Sequence, residues 1–205
     1  MTTRGWRTIV FKNRGALLVP VAIVLLIFGR PSPLSAALGI AIAVLGEALR
    51  VWAVGYSGAT TRAEIVTAPS LVTAGPYAIV RNPLYLANGI IAAGFWLAYS
   101  GAVSRAEAAF MFAVVFALVV GVYAIIIPLE ESYLLGHFGA PYRAYDEAVP
   151  RIFPAARTLA KAQRTGVWRS GVIGRAEVIT LVFFALMIVV VWLKLGALAA
   201  WGVFF

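Results

Sequence analysis

The run AAFMFAVVFALVVGVYAIIIPL, residues 108–129, carries no charge over 22 residues and is followed at once by Glu130-Glu131. A membrane span needs about 20 apolar residues to cross about 30 Å of hydrocarbon. This run therefore predicts a transmembrane helix with an acidic pair at its end. Four more apolar segments can be drawn outward from it, at about 15–28, 34–56, 83–99 and 177–205. Segments 34–56 and 177–205 meet the length comfortably, 83–99 is slightly short, and 15–28 is shorter still. Arg30-Pro31-Ser32-Pro33 leaves only a tight turn between the first two, so 1–56 reads as a helical hairpin with Lys12 and Arg14 snorkelling at its base. The expected fold is all-α, a polytopic membrane protein of about five transmembrane helices. It forms one domain over 1–205 and closes on a C-terminal transmembrane helix at 177–205.

Composition narrows the function. With 62% hydrophobic and 12% charged residues, the chain cannot scatter polar groups, so clustered ones line a site or meet the membrane surface. The absence of cysteine removes disulfides, thiolate metal sites and cysteine nucleophiles, and a lone His137 cannot supply a zinc ligand set. The net charge of +9 reads as lipid-headgroup contact rather than nucleic-acid binding. Arg4, Arg7, Lys12 and Arg14 precede an apolar run with no small-residue cleavage site after Phe28, which predicts a retained first span. Fourteen of the 17 Lys and Arg residues fall on one side if the N-terminus is cytoplasmic. Only Arg30, Arg105 and Lys194 fall on the other. The positive-inside rule then places both polar stretches at the cytoplasmic face of a plasma or prokaryotic inner membrane.

The first polar stretch is Gly75-Pro76-Tyr77-Ala78-Ile79-Val80-Arg81-Asn82-Pro83-Leu84-Tyr85. Asn82 before Pro83 marks a helix start, because Asn caps free N–H groups and Pro is pre-set for the first helical position. A helix N-terminus beside Arg81 attracts an anionic group. Read alone, the same stretch is a cap and an interfacial anchor. The second stretch runs from Glu130-Glu131 through Tyr133, Phe138-Gly139, Tyr142 and Tyr145 to Pro150-Arg151-Ile152-Phe153-Pro154. Adjacent carboxylates on a helix point about 100° apart, so at most one faces a given ligand. The aromatics fit an amphipathic surface helix broken at Gly139, and read alone they are an interfacial belt. Arg143, Arg151, Arg157, Lys161, Arg164 and Arg169 form a headgroup-facing basic run, and His137 an exposed or capping residue.

Taken in order, these pieces resemble the isoprenylcysteine carboxyl methyltransferase and phospholipid methyltransferase superfamily. The pattern runs Leu71-Val72-Thr73-Ala74-Gly75-Pro76-Tyr77, then Arg81 to Tyr85, then Glu130-Glu131, Phe138 to Tyr145 and Val149 to Pro154. The resemblance implies a cofactor-binding core over 69–154 that uses S-adenosylmethionine and releases S-adenosylhomocysteine. It implies that Pro69, Ser70, Leu71, Val72 and Tyr77 hold the adenosyl end, and that Asn82, Pro83, Leu84 and Tyr85 contact the cofactor. One of Glu130 and Glu131 is implied as its acidic ligand. The cofactor's carboxylate suits Arg81 and its ammonium and ribose hydroxyls suit a glutamate. Glu130, Glu131 and Arg81 are accordingly the expected catalytic residues.

Three departures stand out: Asn82 replaces a histidine, Ala87 a glycine, and the apolar Tyr123 to Leu129 an arginine expected before the paired glutamates. An isoleucine cannot pair with a carboxylate, which weighs against a prenylcysteine acceptor. The expected reaction moves a methyl group to a lipophilic acceptor, isoprenylcysteine-like or phospholipid-like, that arrives laterally from the bilayer. No metal and no nucleic acid are expected, and the oligomeric state stays open. The alternatives are an NADPH-dependent enzyme like the sterol reductases, with the basic run at 143–169 holding phosphates, and a non-catalytic membrane scaffold or transporter.

Overall fold

The computed structural model of the chain describes residues 19–58, 70–161 and 166–200. Pro69, Arg4, Arg7, Lys12, Arg14, Arg62 and Arg164 therefore lie outside the described residues, as do the start of the first apolar segment and the end of the last. Among the described residues every regular element is helical. They are α1 (Val19–Phe28), α2 (Pro33–Ser57), a 3-10 turn (Gly75–Ala78), α3 (Pro83–Tyr99) and α4 (Arg105–Phe138). Then follow α5 (Ala140–Ala148), α6 (Ala156–Lys161), α7 (Ser170–Ala176) and α8 (Val178–Ala200). Three of them, α2, α4 and α8, are long and apolar enough to cross a membrane. With 17 residues α3 reaches about 25 Å at 1.5 Å per residue, and the described part of α1 is shorter.

The helix starts are written locally. Ser32 accepts from the Ser35 amide while the Ser35 hydroxyl takes the Ser32 amide, with Pro33 in the first turn of α2. Ser104 and Glu107 repeat this reciprocal arrangement at α4. One expected boundary moves: the glutamate pair does not end the fourth span. α4 continues through Pro128, Glu130 and Glu131 to Phe138. Pro128 removes one rung of the helix ladder, and the surrounding apolar residues keep the helix going. The break comes at Gly139, whose φ of 60° is costly for any residue with a Cβ.

α2 and α3 run antiparallel with their backbones in near contact. A Cβ on Gly39 would lie 2.3 Å from the Ala98 amide nitrogen, and one on Gly94 would lie 2.5 Å from that of Ala43. Further along, a Cβ on Gly46 would meet Ile91 at 2.9 Å. In lipid, where hydrocarbon gains nothing by leaving its surroundings, such close approach is what holds helices together. Leu25, Ala36, Phe95, Tyr99, Met111, Val115, Met187 and Val191 fill the space among α1, α2, α3, α4 and α8. At one end of this bundle polar bonds stitch the loops: Arg30 N–H to Tyr99 O at 2.7 Å, Tyr99 hydroxyl to Met187 O at 3.0 Å, and Lys194 ammonium to Gly29 O at 2.7 Å. Both polar stretches sit at the other end, as the alternation of the helices requires.

The packing carries a direct expectation. Gly94→Ala drives a methyl into the α2 backbone and lowers stability by about 1–3 kcal/mol. Gly121→Ala on α4, with nothing within 4 Å of the added carbon, leaves stability unchanged or slightly raised. Thermal unfolding of the detergent-purified variants checks the contrast, and equal midpoints would refute close α2–α3 contact.

Candidate functional site

The site begins with a turn that only glycine fits. Gly75 has φ of 61°, and a Cβ there would lie 2.4 Å from the Tyr56 ring of α2. The 3-10 turn that follows delivers Tyr77, whose hydroxyl bonds the Ser57 side chain and lies within electrostatic reach of Glu130. The Tyr77 carbonyl accepts from the Tyr145 hydroxyl at 2.7 Å, which ties α5 down onto the turn. Tyr142, Tyr145 and Val149 are buried there with Leu71, Leu134 and Phe138 against them. For Tyr142 and Tyr145 this replaces the interfacial-belt reading: both rings pack inward. Tyr133 does keep an outer position, stacked on exposed His137 at 5.6 Å. Burial pushes the Tyr77, Tyr142 and Tyr145 hydroxyls well above their ordinary range, so all three stay protonated at neutral pH.

Arg81 is the hub. Its Nε donates to Glu131 Oε1 at 3.1 Å, and its Nη2 lies 3.1 Å from the same oxygen and 2.7 Å from Asp146 Oδ1. Its Nη1 donates to the carbonyls of Asp146 and Val149, each at 2.6 Å. Every N–H of the guanidinium thus has a protein acceptor. The expectation that Arg81 stands ready for an external anion meets a side chain whose donors are already engaged. Asn82 likewise departs from its expected cap. It makes no side-chain cap bond. Instead its amide group donates to Glu131 Oε1 and to the Arg151 carbonyl, both at 3.2 Å. These donor bonds set the amide toward α4 and the 149–151 strap, and its oxygen makes no bond to the first-turn N–H groups.

The strap at 149–151 completes the knot. Arg81 N–H bonds Pro150 O at 2.8 Å and Asn82 N–H bonds Arg151 O at 3.1 Å. The Arg151 guanidinium returns across the acid and meets Glu131 Oε2 at 2.6 Å, with its side chain 55% exposed against 9% for Arg81. Glu130 faces the other way and accepts from the Tyr85 hydroxyl at 2.7 Å. The Tyr85 ring lies 4.6 Å from that of Tyr123, whose hydroxyl accepts from Asn88 at 2.9 Å. The paired acids therefore diverge, as adjacent helical positions must.

Of the expected site residues, Tyr77, Arg81, Asn82, Tyr85, Glu130 and Glu131 come together. Pro83 is buried in the first turn of α3 and Leu84 is half-buried beside it. Leu71 joins the Tyr142 cluster, Val72 is half-buried and Ser70 is exposed. Three participants carry no assignment in the sequence reading, Asp146, Asn88 and Tyr123, and Arg151, expected to face lipid headgroups, instead pairs with Glu131. A second polar group was missed altogether. Glu47, Arg50 and Glu177 are all buried, with Arg50 bonded to Glu47 through Nε at 2.9 Å and to Glu177 through Nη1. This ties α2 to the start of α8. Its signal was present, since an acid and a base one turn apart inside an apolar run are costly unless paired. Among the described residues no group of acids and histidine could hold a metal ion.

With this geometry in place the comparisons carry weight. The sequence model of the phospholipid methyltransferase family matches residues 34–141, just over half of the chain. The chain belongs to that family. No curated protein and no solved structure matches it. The matched region spans α2 to the start of α5, so it includes Arg81, Asn82, Tyr85 and both glutamates. Membership makes the chain a membrane methyltransferase and favours that reading over a reductase.

Removing the hub and removing its outer partner have different expected costs. Arg81→Met takes a paired cation from buried Glu131 and a donor from two carbonyls, and costs about 3 kcal/mol or more. Arg151→Gln removes an ion pair whose base is half in solvent, and costs about 0–1 kcal/mol. Unfolding midpoints of the two variants check the order, and a larger loss in Arg151→Gln would reverse these roles.

Proposed function

We propose that this member of the phospholipid methyltransferase family moves a methyl group from S-adenosylmethionine to a lipophilic acceptor. The site is the knot of Tyr77, Arg81, Asn82, Tyr85, Glu130 and Glu131, at the cytoplasmic face of a membrane crossed about five times with the N-terminus inside. One observation carries the reading. Two segments about fifty residues apart interlock through Arg81–Glu131, while Tyr85–Glu130 opens toward the α3–α4 face.

The donor set fits such a cofactor. Carboxylate oxygens suit an ammonium and ribose hydroxyls, tyrosine rings suit an adenine face, and an arginine suits a carboxylate. When bound, the cofactor supplies a methyl group on a sulfonium, already activated for transfer. The chain's part is to place reactants and exclude water. Glu131, held through Oε1 by Arg81 and Asn82, presents Oε2 on the outer side of the knot. Pro69 to Val72 and Pro83 to Leu84 flank it in sequence, and we assign them to the adenosyl end.

Glu130 and Tyr85 lie on the α3–α4 side, where an acceptor entering from the bilayer would arrive. A neutral amine headgroup has a proton to lose, and Glu130 is the group placed to receive it. A carboxylate acceptor needs no base but does need a cation. Arg50 and Arg81 are both engaged by protein acids, so that face offers neither freely to a carboxylate.

Purified protein with methyl-labelled S-adenosylmethionine and a total lipid extract should give label in the organic phase. Glu130→Gln should lower transfer by at least about tenfold at nearly unchanged cofactor affinity, whereas Glu131→Gln should weaken the cofactor itself. No binding of S-adenosylhomocysteine at millimolar concentration would refute the assignment. Sidedness has its own check, since the chain contains no cysteine. A thiol reagent confined to the cytoplasmic side should label Ala144→Cys but not Ser104→Cys, and the reverse pattern would invert the topology.

A further inference from the structure

We propose that Arg151, not Arg81, receives the carboxylate at the amino-acid end of the cofactor, while Glu131 Oε2 takes the ammonium beside it. This rests on the S-adenosylmethionine reading above and deepens it. Both arginines reach Glu131, but only one can change partner. Arg81 has given its donors to Glu131, Asp146 and two carbonyls, and its side chain is 9% exposed. Turning it toward a ligand would break its bonds to buried Glu131 and to the part-buried Val149 carbonyl. Arg151 makes one side-chain contact among the described residues, to Glu131 Oε2 at 2.6 Å, and more than half of its side chain is in solvent.

Its root is nevertheless fixed. The Arg151 carbonyl accepts from Asn82 N–H at 3.1 Å and from Asn82 Nδ2 at 3.2 Å, and Arg81 N–H holds the preceding carbonyl of Pro150 at 2.8 Å. A tethered backbone with a half-exposed, charged head is the arrangement a ligand clamp needs. The Glu131–Arg151 pair is also the charge complement of an α-amino acid. Inserted between them, the ammonium replaces the guanidinium on Oε2 and the carboxylate takes the displaced guanidinium, so every charge keeps an opposite partner. The planar fork of Arg151 can meet that carboxylate through two N–H groups. Each hydrogen bond to a charged group of this kind is worth about tenfold or more in affinity.

The test compares two probes on the full-length protein by titration calorimetry: S-adenosylhomocysteine and its decarboxylated analogue, which keeps the ammonium and lacks the carboxylate. Wild type should bind the first at least about tenfold more tightly. Arg151→Gln should lose that preference, weakening S-adenosylhomocysteine by at least about tenfold and the analogue hardly at all. Arg151→Lys should recover part of it. Equal binding of the two probes by wild type overturns the proposal without any variant. So does an Arg151→Gln that binds S-adenosylhomocysteine as well as or better than wild type, which would make Arg151 a spectator or a competitor. Equal weakening of both probes would mark it as structural and overturn the proposal too. If Arg151→Gln does not fold, the wild-type comparison and Arg151→Lys still decide. Failure of wild type to bind either probe sinks the cofactor reading itself and is distinguishable from all of these.

Discussion

A guanidinium and a carboxylate that meet in a chain of this hydropathy fix everything around them. Arg81 and Glu131 are nearly removed from water, and each alone would cost several kcal/mol. Together with Asn82, Asp146 and the carbonyls of the 146–149 turn they satisfy one another, and the satisfaction is directional. Moving α4 along its axis, or the turn at Gly75 away from α2, would leave charges unpaired in an apolar setting. The start of α3, the acidic turn of α4 and the strap at 149–151 are therefore held in one register. No amount of non-directional apolar contact could define that register.

The rest of the bundle works by a different rule. Along α2 and α3, glycine and alanine bring backbones together, and the interface depends on the lack of side chains. At the end away from the site, bonds from Arg30, Tyr99 and Lys194 close loops that have little else to hold them. Between these regions Arg50 draws Glu47 and Glu177 together and sets where α8 begins. α8 otherwise presents mostly exposed apolar residues, as a lipid-facing helix should. Polar pairing thus defines both margins of the site end, on α2–α8 and on α3–α4, and small-residue packing spans the distance between the two ends.

Much of this was legible in the sequence because membrane helices announce themselves. The bounds of α2 and α3 follow from apolar run length, from the Pro-rich turn before α2 and from Asn82-Pro83 at the start of α3. The convergence of the two polar stretches follows from counting crossings. What the sequence hid were the partners. Arg81 looked available because nothing local marks Asp146 and two carbonyls sixty-odd residues away as its acceptors. Asn82 looked like a cap because the sequence cannot show that its amide group reaches across to a carboxylate of α4. Glu130-Glu131 looked like a helix end because charge usually stops a span. Yet one acid faces arginines and the other a tyrosine, so the helix can carry both past the apolar boundary. Arg50 entered only as one of the fourteen cations counted on the cytoplasmic side, although Glu47 one turn earlier already supplied half of its neutralisation.

The divergence of the two acids has a chemical consequence. Glu131 meets guanidinium groups on both oxygens, Arg81 at Oε1 and Arg151 at Oε2, which fixes its orientation. Glu130 accepts from a neutral hydroxyl that itself leans on Tyr123 between α3 and α4. Neighbouring positions on one helix thus send one acid into the knot of Arg81, Asn82 and Arg151 and the other toward Tyr85, and the separation follows from which side of α4 each residue occupies.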